Sequence, residues 1–306
     1  MFVDTRQEHE MTRPKIGFIG LGLMGAAMVE RLQVQGYAVT VLGHKNRSGI
    51  EEAAVSRGAQ EADDARALAE ASDIIILCMG TSDQVEGRMH GRDGVIAGLQ
   101  PGAVVVDFGT SLPTSTRALS EEVAAAQATM LDAPLGRTPT HAAAGLLNIM
   151  CAGDPAIYKQ VKPVLEDLGE NIFHLGPLGS GHTIKRINNF FGMTVANAMA
   201  EAFAMADKAG VPRQEIYCTM SAGPLHSGMM GFLTAYALER DPAQLAFRNH
   251  NSAKDVGYYT QMAETSGVQS LMSQRAQYAL DMAVQEGRGD DMVSQMVNFY
   301  ADRFCN

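Results

Sequence analysis

Apolar residues in the first half of the chain come in short blocks with helically spaced stretches between them. Lys15–Ile19, Ala38–Leu42, Ile74–Cys78 and Val104–Asp107 are such blocks, and Thr129–Asp132 and Asn148–Ala152 are two more. They are rich in β-branched residues and several show no polar alternation, the pattern of strands buried on both faces. Helical spacing is clearest from Met24 to Gln35 and around Ile50–Arg57. Strands alternating with helices predict an α/β fold, a parallel doubly wound sheet covered on both sides.

The second half changes period. After Gly179-Ser180-Gly181 a helical pattern runs from Thr183 to Ala209, about 40 Å at the α-helical rise. Gly210-Val211-Pro212 is a stop signal. The remainder reads as further helices, broken near Gly223-Pro224, Asp241-Pro242, Gly267 and Gly287. Glycines and Pro177 cluster at Gly176–Gly181, so the expected boundary lies there. Residues 15–178 form one domain and 179–306 an all-helical second one. The polar start, residues 1–14, is expected to be a disordered extension, with Met11 as an alternative start.

Composition narrows the classes. At 46% hydrophobic and 19% charged, the chain can build real cores. No stretch of about 18 residues is free of charges and turn formers, so no membrane span is expected. A net charge of -10 argues against nucleic acid as a partner. Cys78, Cys151, Cys218 and Cys305 lie far apart, and three sit in apolar contexts. They read as buried reduced thiols, which implies a cytoplasmic setting. The histidines form no H-x-x-x-H pair and no cluster with cysteines, so a metal site is not expected.

One turn carries chemistry. Gly20-Leu-Gly22-Leu-Met-Gly25 follows the first strand and opens the first helix, the context in which G-x-G-x-x-G binds a dinucleotide. Gly20 allows the tight turn, Gly22 lets a pyrophosphate approach, and Gly25 lets helix and strand pack. The N–H groups of Leu23 and Met24 then face the phosphates. An acid after the second strand would bind the ribose of NAD. No Asp or Glu occurs between Arg31 and Ile50, and Gly43 stands where the acid is expected. His44, Lys45 and Arg47 follow, cationic candidates for a 2′-phosphate, so NADP is favoured over NAD.

Four segments together resemble the β-hydroxyacid dehydrogenase family, which includes 3-hydroxyisobutyrate dehydrogenase, tartronate semialdehyde reductase and, more distantly, 6-phosphogluconate dehydrogenase. They are Phe18–Gly25; Asp132-Ala-Pro-Leu-Gly-Arg-Thr138 with Ala144–Met150; Gly179–Asn189; and Lys254-Asp255, seven residues after Phe247. The resemblance covers nearly all of the chain beyond residue 14. It implies a Rossmann-type domain joined by a long helix to an all-helical domain, with the active site in the cleft between. It implies an NAD(P)-dependent dehydrogenase acting on a small anionic hydroxy acid or its aldehyde, with Lys185 and Asn189 as catalytic residues. The substrate loop, usually Ser-Gly-Gly in this family, is Gly136, Arg137 and Thr138 here. That version resembles the loop of sulfolactaldehyde reductases. By the same resemblance Met79, Thr81, Thr110 and Lys254 line the cofactor groove, and Thr110 and Asn188 also meet substrate.

The residue types suit those roles. Lys185 and Asn189 are four apart on one helix and share a face, with Asn188 beside them. An ammonium can protonate a carbonyl oxygen as hydride arrives, and the neutral amine can take a hydroxyl proton in reverse. Free lysine, at about 10.4, is a poor base near neutrality, so burial or neighbouring cations must lower it. Arg137 offers a planar fork for carboxylate or sulfonate. The apolar long helix suggests a homodimer or homotetramer. Other readings of the same features are an imine or neutral-carbonyl reductase on this fold, and a non-catalytic NADPH sensor.

Overall fold

The computed structural model describes residues 13–42 and 49–305. Contacts divide the chain into two units, residues 1–183 and 184–306. The first unit opens with β1 (Ile16–Ile19), α1 (Leu23–Val34), β2 (Val39–Leu42), α2 (Gly49–Ser56), β3 (Gln60–Ala62), α3 (Ala65–Glu70) and β4 (Ile74–Leu77). It continues with α4 (Ser82–Met89), α5 (Val95–Gly98), β5 (Val104–Asp107), α6 (Pro113–Ala125) and β6 (Thr129–Asp132). Last come β7 (Leu135–Gly136), α7 (Pro139–Ala144), β8 (Leu147–Cys151), α8 (Pro155–Leu168) and β9 (Gly169–His174).

Six strands pair in parallel in the order β3-β2-β1-β4-β5-β6. Alternate residues feed two separate cores. Ile74, Ile76, Val104 and Val106 face one, while Ile75, Leu77 and Val105 face the other. That is why these strands read as unbroken apolar blocks. The strand order reverses between β1 and β4, which opens a crevice at the carboxyl ends of those strands, where ligands of such sheets bind.

Two features depart from the expected pattern. Leu147–Cys151, the Asn148–Ala152 block, belongs to a second sheet, ordered β7-β8-β9, antiparallel to β7 and parallel to β9. Its partners were not foreseen because β7 is two residues long and β9 is largely exposed. The edge strand β3 is likewise mostly exposed and carries no apolar run. Residues 1–12 of the anticipated lead-in lie outside the described residues. Arg13 is already placed, its Nη1 3.0 Å from an Asp167 oxygen and its guanidinium over the Tyr37 ring.

The helix α9 (Ser180–Lys208) is a single element of 29 residues, and most of it belongs to the second unit. There follow α10 (Arg213–Ser221), α11 (Gly228–Glu239), α12 (Asn249–Thr265), α13 (Leu271–Ala283) and α14 (Met296–Cys305). Met193, Ala196, Phe203, Leu233, Val256, Leu280 and Phe299 form this unit's core. Among the described residues no helix is long and apolar enough to cross a membrane. The cysteine reading needs a correction: Cys151 is buried, but Cys218 and Cys305 are exposed. They sit in the last turns of α10 and α14, outside the core stripe, where an apolar neighbourhood in sequence does not become one in space.

Candidate active site

The glycine turn sits at the reversal point of the large sheet. Gly20 has φ 108°, and a Cβ there would lie 2.2 Å from the Cys78 carbonyl oxygen. A Cβ on Gly25 would lie 1.9 Å from the Gly20 oxygen. Packing within the protein therefore demands both glycines. Gly22 differs: a Cβ there would meet nothing within 4 Å. Its backbone starts α1 without a side-chain cap, and no acidic residue lies in the first turn. Open N–H groups, no competing carboxylate and space above a glycine fit a dinucleotide pyrophosphate. Leu23 is 76% exposed beside that space, while Met24 packs against the core.

Met79 follows β4 and lies against both flanking turns, its Cγ 3.4 Å from the Cβ position of Gly20 and its carbonyl 2.8 Å from that of Gly109. Thr81 caps α4, its Oγ1 accepting from Gln84 N at 3.2 Å. Thr110 stands in the turn after β5. Its neighbours are tied to the buried Asp107, whose carboxylate accepts from Gly109 N at 2.8 Å and Ser111 Oγ at 2.6 Å. Met79, Thr81 and Thr110 thus gather at the carboxyl ends of β4 and β5. Gly43, His44, Lys45 and Arg47 lie outside the described residues.

Gly136, Arg137 and Thr138 run from β7 into α7. Arg137 has φ 78°, a left-handed conformation that costs an ordinary residue about 1–2 kcal/mol. Glycine has no such cost, which accounts physically for a glycine in the Ser-Gly-Gly version of the loop. The Arg137 Nη1 donates to Leu146 O at 2.7 Å and to Glu170 Oε2 at 2.5 Å. Thr138 Oγ1 lies 2.7 Å from His141 Nδ1.

In the second unit, α9 and α12 bring four polar groups together. Asn189 is buried and donates from Nδ2 to Asp255 Oδ2 at 2.6 Å. Lys254 Nζ lies 3.0 Å from Asp255 Oδ1. Burial lowers the Lys185 ammonium pKa from its usual value; the Asp255 charge opposes this and the Lys254 charge adds to it. Next to it, burial brings the Arg186 guanidinium down to about 10, and its ring partner is Tyr258. Asn188 is exposed. The sequence motifs assign Asp255 no role, although it carries a signal. It lies three residues after Ser252 and beside Val256, on the stripe of α12 that is buried.

The sheet order and the uncapped glycine turn at its reversal point define the dinucleotide-binding class of α/β fold. More narrowly, the chain belongs to the β-hydroxyacid dehydrogenase family. Residues 15–176 match the NAD-binding domain of 6-phosphogluconate dehydrogenase. Residues 179–300 match the NAD-binding domain of NADP-dependent 3-hydroxyisobutyrate dehydrogenase. The chain is 31% identical to 3-hydroxyisobutyrate dehydrogenase-like protein 3 of Arabidopsis thaliana over 252 residues, 82% of this chain and 78% of that one. It is 31% identical to the NAD-dependent L-serine dehydrogenase of Pseudomonas aeruginosa over 280 residues, 89% and 93% of the two chains. Mycobacterium tuberculosis 3-hydroxyisobutyrate dehydrogenase, solved with L-serine, shares the fold with a TM-score of 0.81 at 23% identity, covering 94% of this chain and 98% of that one.

Proposed function

We propose that the chain interconverts a small anionic β-hydroxy acid and its semialdehyde, with NADP(H) preferred over NAD(H). The observation that carries this is the buried group around Lys185, an amine whose pKa is lowered beside an amide clamped by a carboxylate. A bound nicotinamide supplies or accepts the hydride. The protein's share is the proton and the orientation. Lys185 gives a proton to the carbonyl oxygen during reduction and takes the hydroxyl proton during oxidation. Lowering its pKa brings both forms closer to working pH, where general acid–base catalysis is most effective. The Asn189 amide, fixed through its nitrogen, presents its oxygen to the amine or to the substrate hydroxyl, and Asn188 adds a second amide.

Arg137, with Gly136 and Thr138, binds the substrate's anionic group. Its present partner Glu170 is half exposed, and such pairs are worth about 0–1 kcal/mol, so an incoming anion competes on even terms. Gly20, Gly22 and Gly25 with the N–H groups of Leu23 and Met24 would hold the cofactor's diphosphate, and Met79, Thr81, Thr110 and Lys254 would hold the rest of it. His44, Lys45 and Arg47 would supply the cations for a 2′-phosphate. Phe191 and Met205 stand 67% and 51% exposed on α9, which supports assembly as a homodimer or a homotetramer. Burial raises the Cys78 and Cys151 thiols to about 12, which keeps these two protonated and unreactive.

The test is loss of NADPH absorbance with sulfolactaldehyde, succinic semialdehyde, glyoxylate, tartronate semialdehyde and methylmalonate semialdehyde, repeated with NADH. Turnover of at least one anionic aldehyde is expected. Steady absorbance with all of them, despite tight NADPH binding, would leave a cofactor sensor instead.

A further inference from the structure

The last residues of β5 and β6 are both aspartates, and they are register partners, Asp107 opposite Asp132. Both are fully buried. Two adjacent carboxylates in a dry place are costly unless each is hydrogen-bonded or countered. Asp107 is bonded to the turn that carries Thr110. Asp132 reaches the other way, its Oδ1 accepting from Gly179 N and its Oδ2 from His182 N, each at 2.7 Å. A carboxylate from the sheet therefore caps the first turn of α9, which has no acidic residue of its own there. Such a cap satisfies open N–H groups and suits the positive end of the helix.

The His182 imidazole lies between the two carboxylates, fully buried. Its Nδ1 is 2.9 Å from Thr116 Oγ1 and 3.8 Å from Asp132 Oδ2, and its Nε2 is 3.7 Å from Asp107 Oδ2. The Thr116 hydroxyl also donates to Leu112 O at 3.2 Å. That hydroxyl has one proton to share between Leu112 O and Nδ1, so Thr116 and His182 are coupled whichever ring nitrogen carries the hydrogen. The fit leaves no slack: a Cβ on Gly181 would come 2.2 Å from Met150 O and 2.9 Å from Asp132 Oδ2. Burial pushes the Asp132 carboxyl up, while His182 and the two N–H bonds pull it back.

We propose that Asp132 and His182 are positioning residues, which hold the first turn of α9 to the carboxyl edge of the sheet so that the helix bearing Lys185 starts from a fixed point. Lys185 lies three residues beyond His182 in the same helix. The inference rests on the acid–base role proposed for Lys185. A merely structural network would lower the melting temperature and leave the folded enzyme's kcat intact. A positioning network lowers kcat in protein that is still folded and still binds cofactor.

The experiment pairs amide hydrogen exchange with steady-state kinetics on the full-length enzyme. Asp132→Asn keeps the shape but puts an NH2 where one N–H needs an acceptor. Exchange at Gly179–His182 is expected to quicken by about 10-fold or more, as one buried bond is lost. The kcat is expected to fall about 10- to 100-fold, the scale of a small misplacement of a reacting group. NADPH affinity and substrate KM should stay within about threefold, the signature of a loss confined to the transition state. His182→Asn can still hydrogen-bond Thr116 and should retain more kcat than His182→Leu.

If Asp132→Asn does not fold, Thr116→Val removes the hydroxyl that bonds Nδ1 and Leu112 O and leaves the Asp132 cap in place, and a kcat drop of about 3- to 10-fold is expected from a lost hydrogen bond. Faster exchange with unchanged kcat in Asp132→Asn, or unchanged kcat in Thr116→Val, overturns the proposal. Lys185→Ala run alongside separates the two claims. An inactive Lys185→Ala with a fully active Asp132→Asn sinks the positioning role alone. An active Lys185→Ala sinks the acid–base reading, and the positioning role with it.

Discussion

Asn189 and Asp255, distant in sequence, meet through a 2.6 Å hydrogen bond between two buried side chains. The bond fixes which way the amide faces, since its nitrogen must donate to the carboxylate. The second carboxylate oxygen meets Lys254. One acid thus holds two of the residues expected at the site, and its charge opposes the burial that lowers Lys185.

A lowered lysine pKa means the neutral amine appears below the ordinary 10.5. Oxidation, which needs that amine, should rise with pH and level off before 10.5 is reached, while reduction falls across the same window. The folded chain releases this proton before the unfolded one does, so this group's contribution favours folding increasingly as pH rises through the window. Asp255→Asn removes the charge that opposes the lowering, so the oxidation limb should move to still lower pH. The same variant should lose about 1.5–3 kcal/mol of stability in urea unfolding, the scale of a hydrogen bond to a charged group. A limb that stays in place would separate Lys185 from the titration.

Lys185→Ala should cost about 10²- to 10⁴-fold in turnover, the usual reach of general acid–base catalysis. NADPH binding, followed by the cofactor's own fluorescence, should be spared. Near-normal turnover would end the proton-transfer role.

Gly22→Ala and Gly25→Ala should part company. The Gly22 methyl meets no protein atom, so the variant should melt near the parent and lose cofactor affinity. The Gly25 methyl would lie 1.9 Å from a backbone oxygen, so that variant should lose stability with or without cofactor. Equal NADPH affinity in Gly22→Ala and the parent would remove the pyrophosphate from this turn.

Arg137→Ala and Arg137→Gly should both raise the substrate KM, because each removes the fork. They should differ in stability. Alanine keeps the cost of φ 78° and glycine relieves it, so the glycine variant should be the more stable by about 1 kcal/mol in thermal melts. An unchanged KM in both would place the arginine outside substrate binding.

Gly43→Asp would put a carboxylate where a 2′-phosphate is proposed, and the ratio of kcat/KM for NADH over NADPH should rise. A ratio identical to the parent's would refute the preference for NADP.

Much of this was readable along the chain. A strand buried on both faces leaves an apolar block, so five strands of the six-stranded sheet announced themselves. A glycine turn between strand and helix marked the dinucleotide end, and a four-residue spacing put Lys185 and Asn189 on one face of their helix. Each of these is a local rule, satisfied by neighbours within a few turns. What the folded chain decided is of another kind. Whether Leu147–Cys151 joins the large sheet or a second one depends on which strands compete for its edges, and the exposed β9 carries little trace of that. Asp132 against His182, and Asp255 against Asn189, are pairings between distant segments. A hydrogen bond across such a distance imposes no period on the sequence around it, and it exists only once the cores on either side have brought the two residues together.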